Sequence, residues 1–519
     1  MTNHSTSTGD LYEGIAAEFG TPVYIFRAES IEQAVADLRA ALPGGSEIYF
    51  SLKANPNSDV GAILRAAGCR AEISSVGELA AALAAGFDPA EALYTGPGKT
   101  EGEIGTALDA GVRNFSCESV RDLRRVASAA ERRSSVADCL LRVNAPSAPG
   151  QGAMRMTGTP SQFGIDLDSV EVLPMDLVIA GARVHGFHFY PMSNATDEDA
   201  LIEEIVNSIR YAVELSERWE IPLEVLDLGG GFAAPYGVEG SRPLYPSLRE
   251  SVEFELDRRL PGWREGNPKV VFESGRYLTC DSGTLVARVL DVKRSRDKDF
   301  VVTDTGIHHV GGLSGIGRVL PMRASAALGP SASDGAPAAG AVVGPLCTPA
   351  DVLNRHIEFG DIAPGRIISV PNVGAYGLSA SLIGFLSRPA PVEVVTRGQR
   401  VVAASRVVFA REEVSFVQEN KSDQEKVRNW DEHYETMLRS VLPRLDAAAE
   451  ITPHETLQAL GIDSLALVHL LGTVEAHYAV TVPDEALFDG RCDTPLGLWE
   501  VIRSQAGSRI ESGEWHTSV

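Results

Sequence analysis

Residues that could take part in chemistry lie at or near the ends of three apolar segments of this sequence. Lys53 follows one of these segments, Glu273 lies near the end of another, and Val225–Leu228 runs into the three glycines Gly229–Gly231. A lysine amine can form a Schiff base with an aldehyde cofactor, and the N–H groups of a glycine turn can approach a phosphate closely. A carboxylate can hold a pyridine nitrogen protonated, which makes the ring an electron sink for a carbanion. Together the three positions indicate a site for pyridoxal 5'-phosphate (PLP).

A second reactive position lies near the C-terminus. Residues Gly461–Leu465 form the pattern Gly-x-Asp-Ser-Leu, and the apolar spacing of Leu465–Leu471 predicts a helix that opens at Ser464. The surrounding segment has the size of a four-helix domain. It resembles acyl and peptidyl carrier proteins, and that resemblance implies that Ser464 carries 4'-phosphopantetheine, the arm that holds a thioester.

The elements that must position these residues alternate regularly in the first half of the chain. Between residues 22 and 280, short apolar runs alternate with helical stretches, and the run Val23–Phe26 opens the series. About eight such units over some 250 residues predict a (β/α)₈ barrel that binds PLP. The predicted fold class is therefore α/β.

The rest of the chain divides into three further parts. Residues 281–410, together with 1–21, are rich in Val strands with Gly and Pro turns and predict a mainly antiparallel β domain. Within it, the small-residue stretch Ala324–Ala341 predicts a mobile loop. The charged segment 411–428 predicts a linker, and residues 429–510 predict the four-helix carrier-protein domain.

Composition narrows the class of protein. The chain has 519 residues, of which 44% are hydrophobic and 22% charged, as in ordinary globular proteins. A net charge of −24 disfavours nucleic acid and anionic membranes as partners. We find no signal-peptide pattern at Met1–Asp10, no apolar run long enough to span a bilayer, and no cysteine pair with metal-ligand spacing. We therefore expect a cytoplasmic protein with no metal site, no nucleic-acid partner and no membrane partner.

The order of the motifs resembles one enzyme family over roughly residues 10–410. The lysine motif and the glycine turn are followed by Glu273–Arg276, then by Gly344–Asp351 and Gly374–Gly377. This order resembles the PLP-dependent decarboxylases of the ornithine and diaminopimelate decarboxylase family. The resemblance implies an alanine-racemase-type fold, in which a barrel is joined to a β domain.

The resemblance also implies roles for individual residues. Lys53 corresponds to the lysine that attaches the cofactor, and Glu273 to the partner of its ring nitrogen. Cys347 corresponds to the cysteine that protonates the substrate carbon after carbon dioxide leaves. Since that cysteine reaches the lysine site of the neighbouring subunit, a homodimer with shared active sites is implied. The residues at phosphate-binding positions are Ser193, Gly229, Gly230, Gly231, Gly275, Arg276 and Tyr376.

Two departures from the family pattern bear on function. Tyr190 stands where a histidine usually stacks on the cofactor ring, and His188 is then the first histidine of that motif, for which we expect a structural role. A tyrosine can still stack on the ring, but it titrates near pH 10 and is never a cation. Thr348 follows the cysteine where the family often has an acid that grips a distal amino group. A neutral residue there disfavours lysine, ornithine and diaminopimelate as substrates.

The two motifs together constrain the substrate. Alpha-decarboxylation needs a free alpha-carboxylate, so an amino acid tethered through its alpha-carbonyl could not react. We therefore expect a PLP-dependent carboxy-lyase whose substrate is a glutamyl- or aspartyl-type side-chain thioester on the arm of Ser464. The product would be an aminoacyl-carrier building block for natural-product biosynthesis, as in antibiotic pathways. Implied partners are a phosphopantetheinyl transferase, an amino-acid-loading ligase and a downstream acyl-transferring enzyme.

Three alternatives remain open from the sequence. The chain could decarboxylate a free amino acid and use its carrier domain only as a downstream acceptor. It could be a PLP-dependent racemase or epimerase, although Glu273 and the Cys347 motif favour decarboxylation. It could also be a PLP-binding scaffold that regulates a carrier pathway, although Lys53, Glu273 and Cys347 are all present.

Overall fold

The chain forms two compact units, Met1–Ala410 and Arg411–Val519, which are described separately. A computed structural model describes residues 8–145, 154–155, 160–167, 172, 174–310, 327–328, 338–359, 362–411, 430–442 and 451–506. Apart from Arg411, the linker predicted at 411–428 lies outside the described residues.

Eight parallel strands close into a barrel in the first unit, as predicted. Each strand pairs with its neighbours in the ring, and the first strand pairs with the eighth. The strands are largely buried, as expected for a parallel sheet that helices cover. In chain order they are Glu47–Ser51, Arg70–Ile73, Leu93–Tyr94, Asn114–Cys117, Ala137–Asn144, Ala182–Phe189, Val225–Asp227 and Lys269–Ser274.

Helices follow most of the barrel strands. Several begin at a residue whose side chain accepts backbone N–H groups of the first turn, such as Asn57, Ser75, Ser119 and Asp197. Such caps stabilise a helix start where the backbone has no partner of its own. The α-helices of this part of the chain are Ala28–Ala41, Ser58–Ala66, Val76–Ala84, Glu101–Asp109, Val120–Glu131, Glu198–Trp219, Leu248–Arg259 and Arg276–Thr279. Three shorter strands accompany the barrel, at Met154–Arg155, Ile165–Asp166 and Met192–Ser193.

The second sheet of this unit is mainly antiparallel, as predicted. Two of its pairings are parallel, that of Val23–Arg27 with Val392–Arg397 and that of Lys298–Thr303 with Ala338–Val343. The helix Thr8–Phe19 packs on one face of the sheet. The strands are Val23–Arg27, Gly283–Ser295, Lys298–Thr303, Ala327–Leu328, Ala338–Val343, Val352–Phe359, Ile367–Val370, Val392–Arg397 and Arg400–Arg406.

Two expectations about this sheet were wrong in part. The run Val23–Phe26 lies in the second sheet and not in the barrel series, because it pairs with Gly283–Ser295 and Val392–Arg397. Its buried, apolar character does not reveal from sequence which of two sheets it joins. The loop predicted at Ala324–Ala341 includes strand residues at 327–328 and 338–341, and the other residues of that stretch lie outside the described residues.

The second unit is a four-helix domain in the part of the chain that the structure describes, as predicted. The helices are Glu432–Ser440, Ser464–Tyr478, Asp484–Phe488 and Pro495–Ala506. Aromatic rings fill its core, and the rings of Tyr434 and Trp499 lie 5.1 Å apart. Across both units, none of the described helices has the length and apolar character that crossing a bilayer requires.

Candidate active site

Neighbouring barrel strands bring three charged side chains to one rim. The first strand pairs with the second, where Ser51 lies opposite Glu72, and with the eighth, where Tyr49 lies opposite Glu273. Lys53 follows the first strand directly, on a short 3-10 helix. These residues lie at the carboxyl ends of the strands, the rim on which (β/α)₈ barrels carry their active sites.

Lys53 makes a close ion pair with Glu72. Its Nζ lies 2.8 and 3.0 Å from the two carboxylate oxygens of Glu72, which also accepts a hydrogen bond from the Thr95 hydroxyl. Burial lowers the pKa of the Lys53 ammonium, but the Glu72 and Glu273 carboxylates more than offset this effect and raise that pKa above its usual value. The Lys53 side chain is still 40% exposed. The amine is therefore reachable but protonated, and it must lose a proton before it can attack an aldehyde.

Glu273 lies in a buried cluster with His188 and Asp227. One side-chain nitrogen or oxygen atom from each of the three residues lies within 4.8 Å of the other two. Burial and the nearby Glu72 and Asp227 carboxylates raise the pKa of Glu273 well above its usual value. Among the described residues, its Oε1 has no hydrogen-bond partner. A buried carboxylate of this kind needs a cation or an N–H donor to stay ionised.

The glycine turn leaves no room for side chains. Gly229 and Gly231 have φ angles of +68° and +108°, the left-handed region that glycine adopts without strain. A Cβ on Gly230 would lie 2.2 Å from the carbonyl oxygen of Glu273, and one on Gly229 would lie 2.2 Å from that of Phe189. The Gly229 N–H donates to Asp227 Oδ1 at 2.8 Å, which fixes the start of the turn. The bare backbone can therefore approach a ligand closely.

Tyr190 follows the sixth barrel strand and lies beside this turn. A Cβ on Gly229 would lie 3.0 Å from the Tyr190 ring. The Arg142 guanidinium lies 5.8 Å from the centre of the same ring and 4.7 Å from the Phe163 ring, and Glu118 pairs with Arg142 at 3.0 Å. Burial raises the pKa of the Tyr190 hydroxyl. The ring is thus held as a neutral aromatic surface, and its stacking on the cofactor stays a prediction.

Other predicted phosphate-binding residues surround the lysine segment. The Tyr376 N–H donates to the carbonyl of Ala54 at 2.7 Å, and the Arg276 guanidinium lies 4.9 Å from the Tyr376 ring. A Cβ on Gly275 would lie 2.7 Å from the Ala54 side chain, so this position too requires glycine. Ser193 is half-buried and lies three residues after the Tyr190 position.

Cys347 and Thr348 lie on a turn of the β domain. Cys347 is exposed and Thr348 half-buried. The buried Asp351 accepts the N–H groups of Leu346 and Ile307, each at 2.8 Å, and so holds the turn in shape. The turn therefore presents the thiol at the surface of the described chain.

Ser464 is the first residue of its helix, as predicted, and it is exposed. The Asp463 carboxylate caps the helix by accepting the N–H groups of Leu465 and Ala466, at 3.1 and 2.9 Å. Leu465 and Val468 are 81% and 66% exposed. The surface next to Ser464 is therefore apolar, although the domain as a whole is acidic.

Sequence reasoning missed three residues of the barrel site. Glu72 lies near the end of the second strand and Lys53 just after the first, so an acid near a neighbouring strand end was a usable signal. Asp227 precedes the glycine turn and Arg142 lies in the fifth strand. A charged residue among the apolar residues of a largely buried strand was the signal for both, because such a residue is buried only when it has a partner.

The residues present fit PLP. The unpartnered Glu273 Oε1 suits a protonated ring nitrogen, the glycine turn suits a phosphate, and the Lys53 amine suits an aldehyde. Tyr190 offers an aromatic face beside the turn. The four features lie around one barrel rim.

Two protein families match the chain. Residues 28–280 match the pyridoxal binding domain of the pyridoxal-dependent decarboxylases. Residues 435–499 match the phosphopantetheine attachment site. The cofactors of this protein are therefore pyridoxal 5'-phosphate and 4'-phosphopantetheine.

Relatives of the first unit are decarboxylases. The L-glutamyl-[BtrI acyl-carrier protein] decarboxylase of Niallia circulans is 31% identical over 392 residues, which cover 74% of this chain and 90% of that protein. A 2-[(L-alanin-3-ylcarbamoyl)methyl]-2-hydroxybutanedioate decarboxylase of Staphylococcus aureus is 28% identical over 71% of this chain and 92% of its own length. The crystal structure of diaminopimelate decarboxylase from Helicobacter pylori complexed with L-lysine has a TM-score of 0.66 and 25% identity, over 75% of this chain and 95% of that one. The chain belongs to the family of pyridoxal-dependent decarboxylases, and it carries a phosphopantetheine-attachment domain in addition.

Proposed function

We propose that this enzyme decarboxylates an amino acid that its own carrier domain holds as a side-chain thioester. The observation that carries the proposal is the pairing of a PLP site with an exposed, helix-opening Ser464 on one chain. A thioester through the alpha-carbonyl would remove the carboxylate that must leave. The tethered group is therefore a glutamyl- or aspartyl-type thioester, and the product is a 4-aminobutyryl or 3-aminopropionyl thioester.

The name of the Niallia circulans relative supports this proposal, because that protein acts on an L-glutamyl group carried by an acyl-carrier protein. The relative matches this chain over 392 residues. In the present protein the carrier is part of the same chain. Tethering to a short flexible arm can raise the effective substrate concentration to roughly the mM range. We place the product in natural-product biosynthesis, of the kind that makes antibiotics.

Each residue of the site has a proposed task. Lys53 would hold the cofactor through its side-chain amine, and Glu273 would pair with the ring nitrogen. When bound, PLP supplies the electron sink that takes up the electron pair of the breaking carbon–carbon bond. The Cys347 thiol then donates a proton to the substrate carbon. The carboxylate leaves as carbon dioxide, and the proton from Cys347 takes its place on the carbon.

The remaining site residues bind and orient. Gly229–Gly231, Gly275, Arg276, Ser193 and Tyr376 hold the phosphate, and Tyr190 covers one ring face. Their main contribution is to fix the orientation of the scissile bond relative to the ring. Thr348 offers no charge to a distal ammonium group, which suits a substrate whose side chain ends in a thioester.

We also propose a homodimer in which Cys347 acts at the Lys53 site of the partner subunit. The exposure of the Cys347 turn supports this assignment. Mixing the inactive variants Lys53→Ala and Cys347→Ala tests it, because a shared site lets one intact site form in each mixed dimer. Recovery of activity on mixing is expected, and no recovery in a verified mixed dimer would exclude the shared site.

The alternative with a different substrate is decarboxylation of a free amino acid. Release of labelled carbon dioxide separates the two. The holo enzyme is supplied with 1-¹⁴C-glutamate or 1-¹⁴C-aspartate either free or loaded through the side chain at Ser464. We expect release from a loaded form and almost none from the free amino acids. Release from the free amino acids alone would overturn the proposal and leave the carrier as an acceptor.

A further inference from the structure

His188 is a buried polar side chain to which the proposed reaction assigns no task. It lies on the sixth barrel strand and is 1% exposed. Its Nδ1 is 2.7 Å from Ser116 Oγ, and its Nε2 is 3.5 Å from Glu273 Oε1. In the described part of the chain, neither His188 Nε2 nor Glu273 Oε1 has a hydrogen-bond partner. Two unpartnered buried atoms thus lie next to each other, one of them on the carboxylate proposed to pair with the ring nitrogen.

We infer that His188 is a positioning residue that directs its Nε2–H at Glu273 and keeps that carboxylate ionised and oriented toward the cofactor, while Ser116 selects this tautomer. The inference rests on the proposed role of Glu273 as the partner of the ring nitrogen. It gives the first histidine of the motif a specific function.

The tautomer follows from the two contacts. A neutral imidazole has one N–H and one lone pair. Glu273 must be ionised to pair with a protonated ring nitrogen, and in that state both of its oxygens only accept hydrogen bonds. If the proton of His188 were then on Nδ1, the lone pair of His188 Nε2 would face a Glu273 oxygen, and two acceptors would oppose each other. The Ser116 hydroxyl can donate to Nδ1, which leaves the proton on Nε2. Because Ser116 is fully buried, no water competes for this contact.

The charges around the ring keep it neutral. The charged groups that face it are Arg142, Lys53, Lys99, Glu273 and Asp227. Burial first, and then the three cations, lower the pKa of His188 well below its usual value. Burial raises the pKa of Asp227 to about 7, so the proton on Asp227 comes and goes near neutral pH. The single N–H of His188 stays in place, which makes it the steadier donor to Glu273.

Two substitutions of His188 separate donation from mere space filling. In His188→Gln the side-chain amide reaches the position of Nε2 and keeps a donor toward Glu273. In His188→Asn the amide reaches only the position of Nδ1, facing Ser116. His185→Gln is the matched control, since His185 is a buried histidine on the same strand that lies 3.8 Å from Glu224. Ser116→Ala removes the group that selects the tautomer.

The readouts require neither a loaded carrier nor turnover. In the unsubstituted holo enzyme, labelled with ¹⁵N-histidine, NMR reports the tautomer of His188, whose signals are those that disappear in His188→Gln. PLP labelled with ¹⁵N at the ring nitrogen reports its protonation across pH 6–9. Equilibrium dialysis against PLP gives the affinity of each variant. A negative result for His188 would leave the proposal of a carrier-bound substrate standing, because none of these readouts depends on that substrate.

We expect the Nε2–H tautomer across this pH range in the unsubstituted enzyme and a mixture of tautomers in Ser116→Ala. His188→Asn should lose protonation of the ring nitrogen at lower pH and bind PLP about tenfold or more weakly, the usual effect of losing a hydrogen bond to a charged group. His188→Gln and His185→Gln should stay within about threefold of the unsubstituted enzyme. An Nδ1–H tautomer or an imidazolium would overturn the inference. So would equal behaviour of the Gln and Asn variants of His188.

Discussion

Replacing Gly229 by alanine should weaken PLP binding while leaving the fold intact, and Gly237 provides the control. The two glycines have nearly equal φ angles, +68° and +67°. Alanine in this left-handed region costs roughly 1–2 kcal/mol at either position. A Cβ at position 237 meets no atom within 4 Å, whereas one at position 229 lies 2.2 Å from the Phe189 carbonyl oxygen. The pair therefore shares its backbone strain and differs in the steric clash.

The magnitude follows from that clash. Ordinary Cβ contacts begin at 3.4 Å, so the turn or the Phe189 carbonyl must move by about 1.2 Å. Overpacking of this kind costs about 1–3 kcal/mol. If PLP binding requires the turn to return to its original position, that cost appears as roughly 5- to 150-fold weaker binding. Gly237→Ala should bind PLP within about twofold of the unsubstituted enzyme.

Fluorescence titration of the apo enzyme with PLP measures both affinities, and circular dichroism checks the fold. Unchanged binding by Gly229→Ala would refute the assignment of the turn as the phosphate cradle. Equal weakening in both variants would refute the steric argument, because backbone strain alone would then explain the effect.

Three further predictions concern other positions. Glu72→Gln should move the pH profile of PLP association to lower pH, because the raised pKa of Lys53 depends on that carboxylate and the amine must be deprotonated to react. Stopped-flow absorbance measures the profile. An unchanged profile would contradict the proposed role of Glu72. Cys347→Ala should slow decarboxylation by about 10²- to 10⁴-fold, the usual contribution of a general acid. The melting temperature and the PLP affinity should stay unchanged, because the thiol is exposed. Single-turnover kinetics of the loaded enzyme test this, and an unchanged rate would remove Cys347 from the mechanism. Thr348→Asp should raise kcat/KM for free diaminopimelate by about tenfold or more, since it restores a counter-charge for the distal ammonium group. It should also slow decarboxylation of the carrier-bound substrate. No gain in kcat/KM for the free diamino acid would refute the role of Thr348 in substrate choice.

The sequence predicted the barrel well because its signal repeats many times. Eight alternations of an apolar run and a helical stretch leave few other folds of this size. The mainly antiparallel β domain and the four-helix domain were also confirmed. The run Val23–Phe26 was assigned to the wrong sheet, since sheet membership is decided by long-range pairing with Val392–Arg397. Local periodicity contains no information about such a partner.

Motifs located the residues proposed to hold the cofactor, but not those that support them. Lys53 and Glu273 were predicted from strand ends, and the structure places Lys53 just after one strand and Glu273 on the strand that pairs with it. The contact of Lys53 with Glu72, and that of His188 with Ser116, join residues on different strands. Such contacts depend on barrel register and closure, which sequence spacing does not give. The exposure of Leu465 and Val468 was likewise not predicted, because helical spacing does not show which apolar side chains stay uncovered.

The proposed function depends on one step, the decarboxylation of an amino acid while it is bound to the carrier domain. Intact-protein mass spectrometry tests it most directly, with the phosphopantetheinylated chain loaded at Ser464 with glutamate or aspartate through the side-chain carboxyl. The Lys53→Ala variant, loaded in the same way, is the control for chemistry at the PLP site, and Ser464→Ala is the control for loading. We expect the loss of one carbon dioxide from one loaded form with PLP present, and no loss in Lys53→Ala. Retention of the full mass by both loaded forms, in an enzyme that turns over a free amino acid, would contradict it.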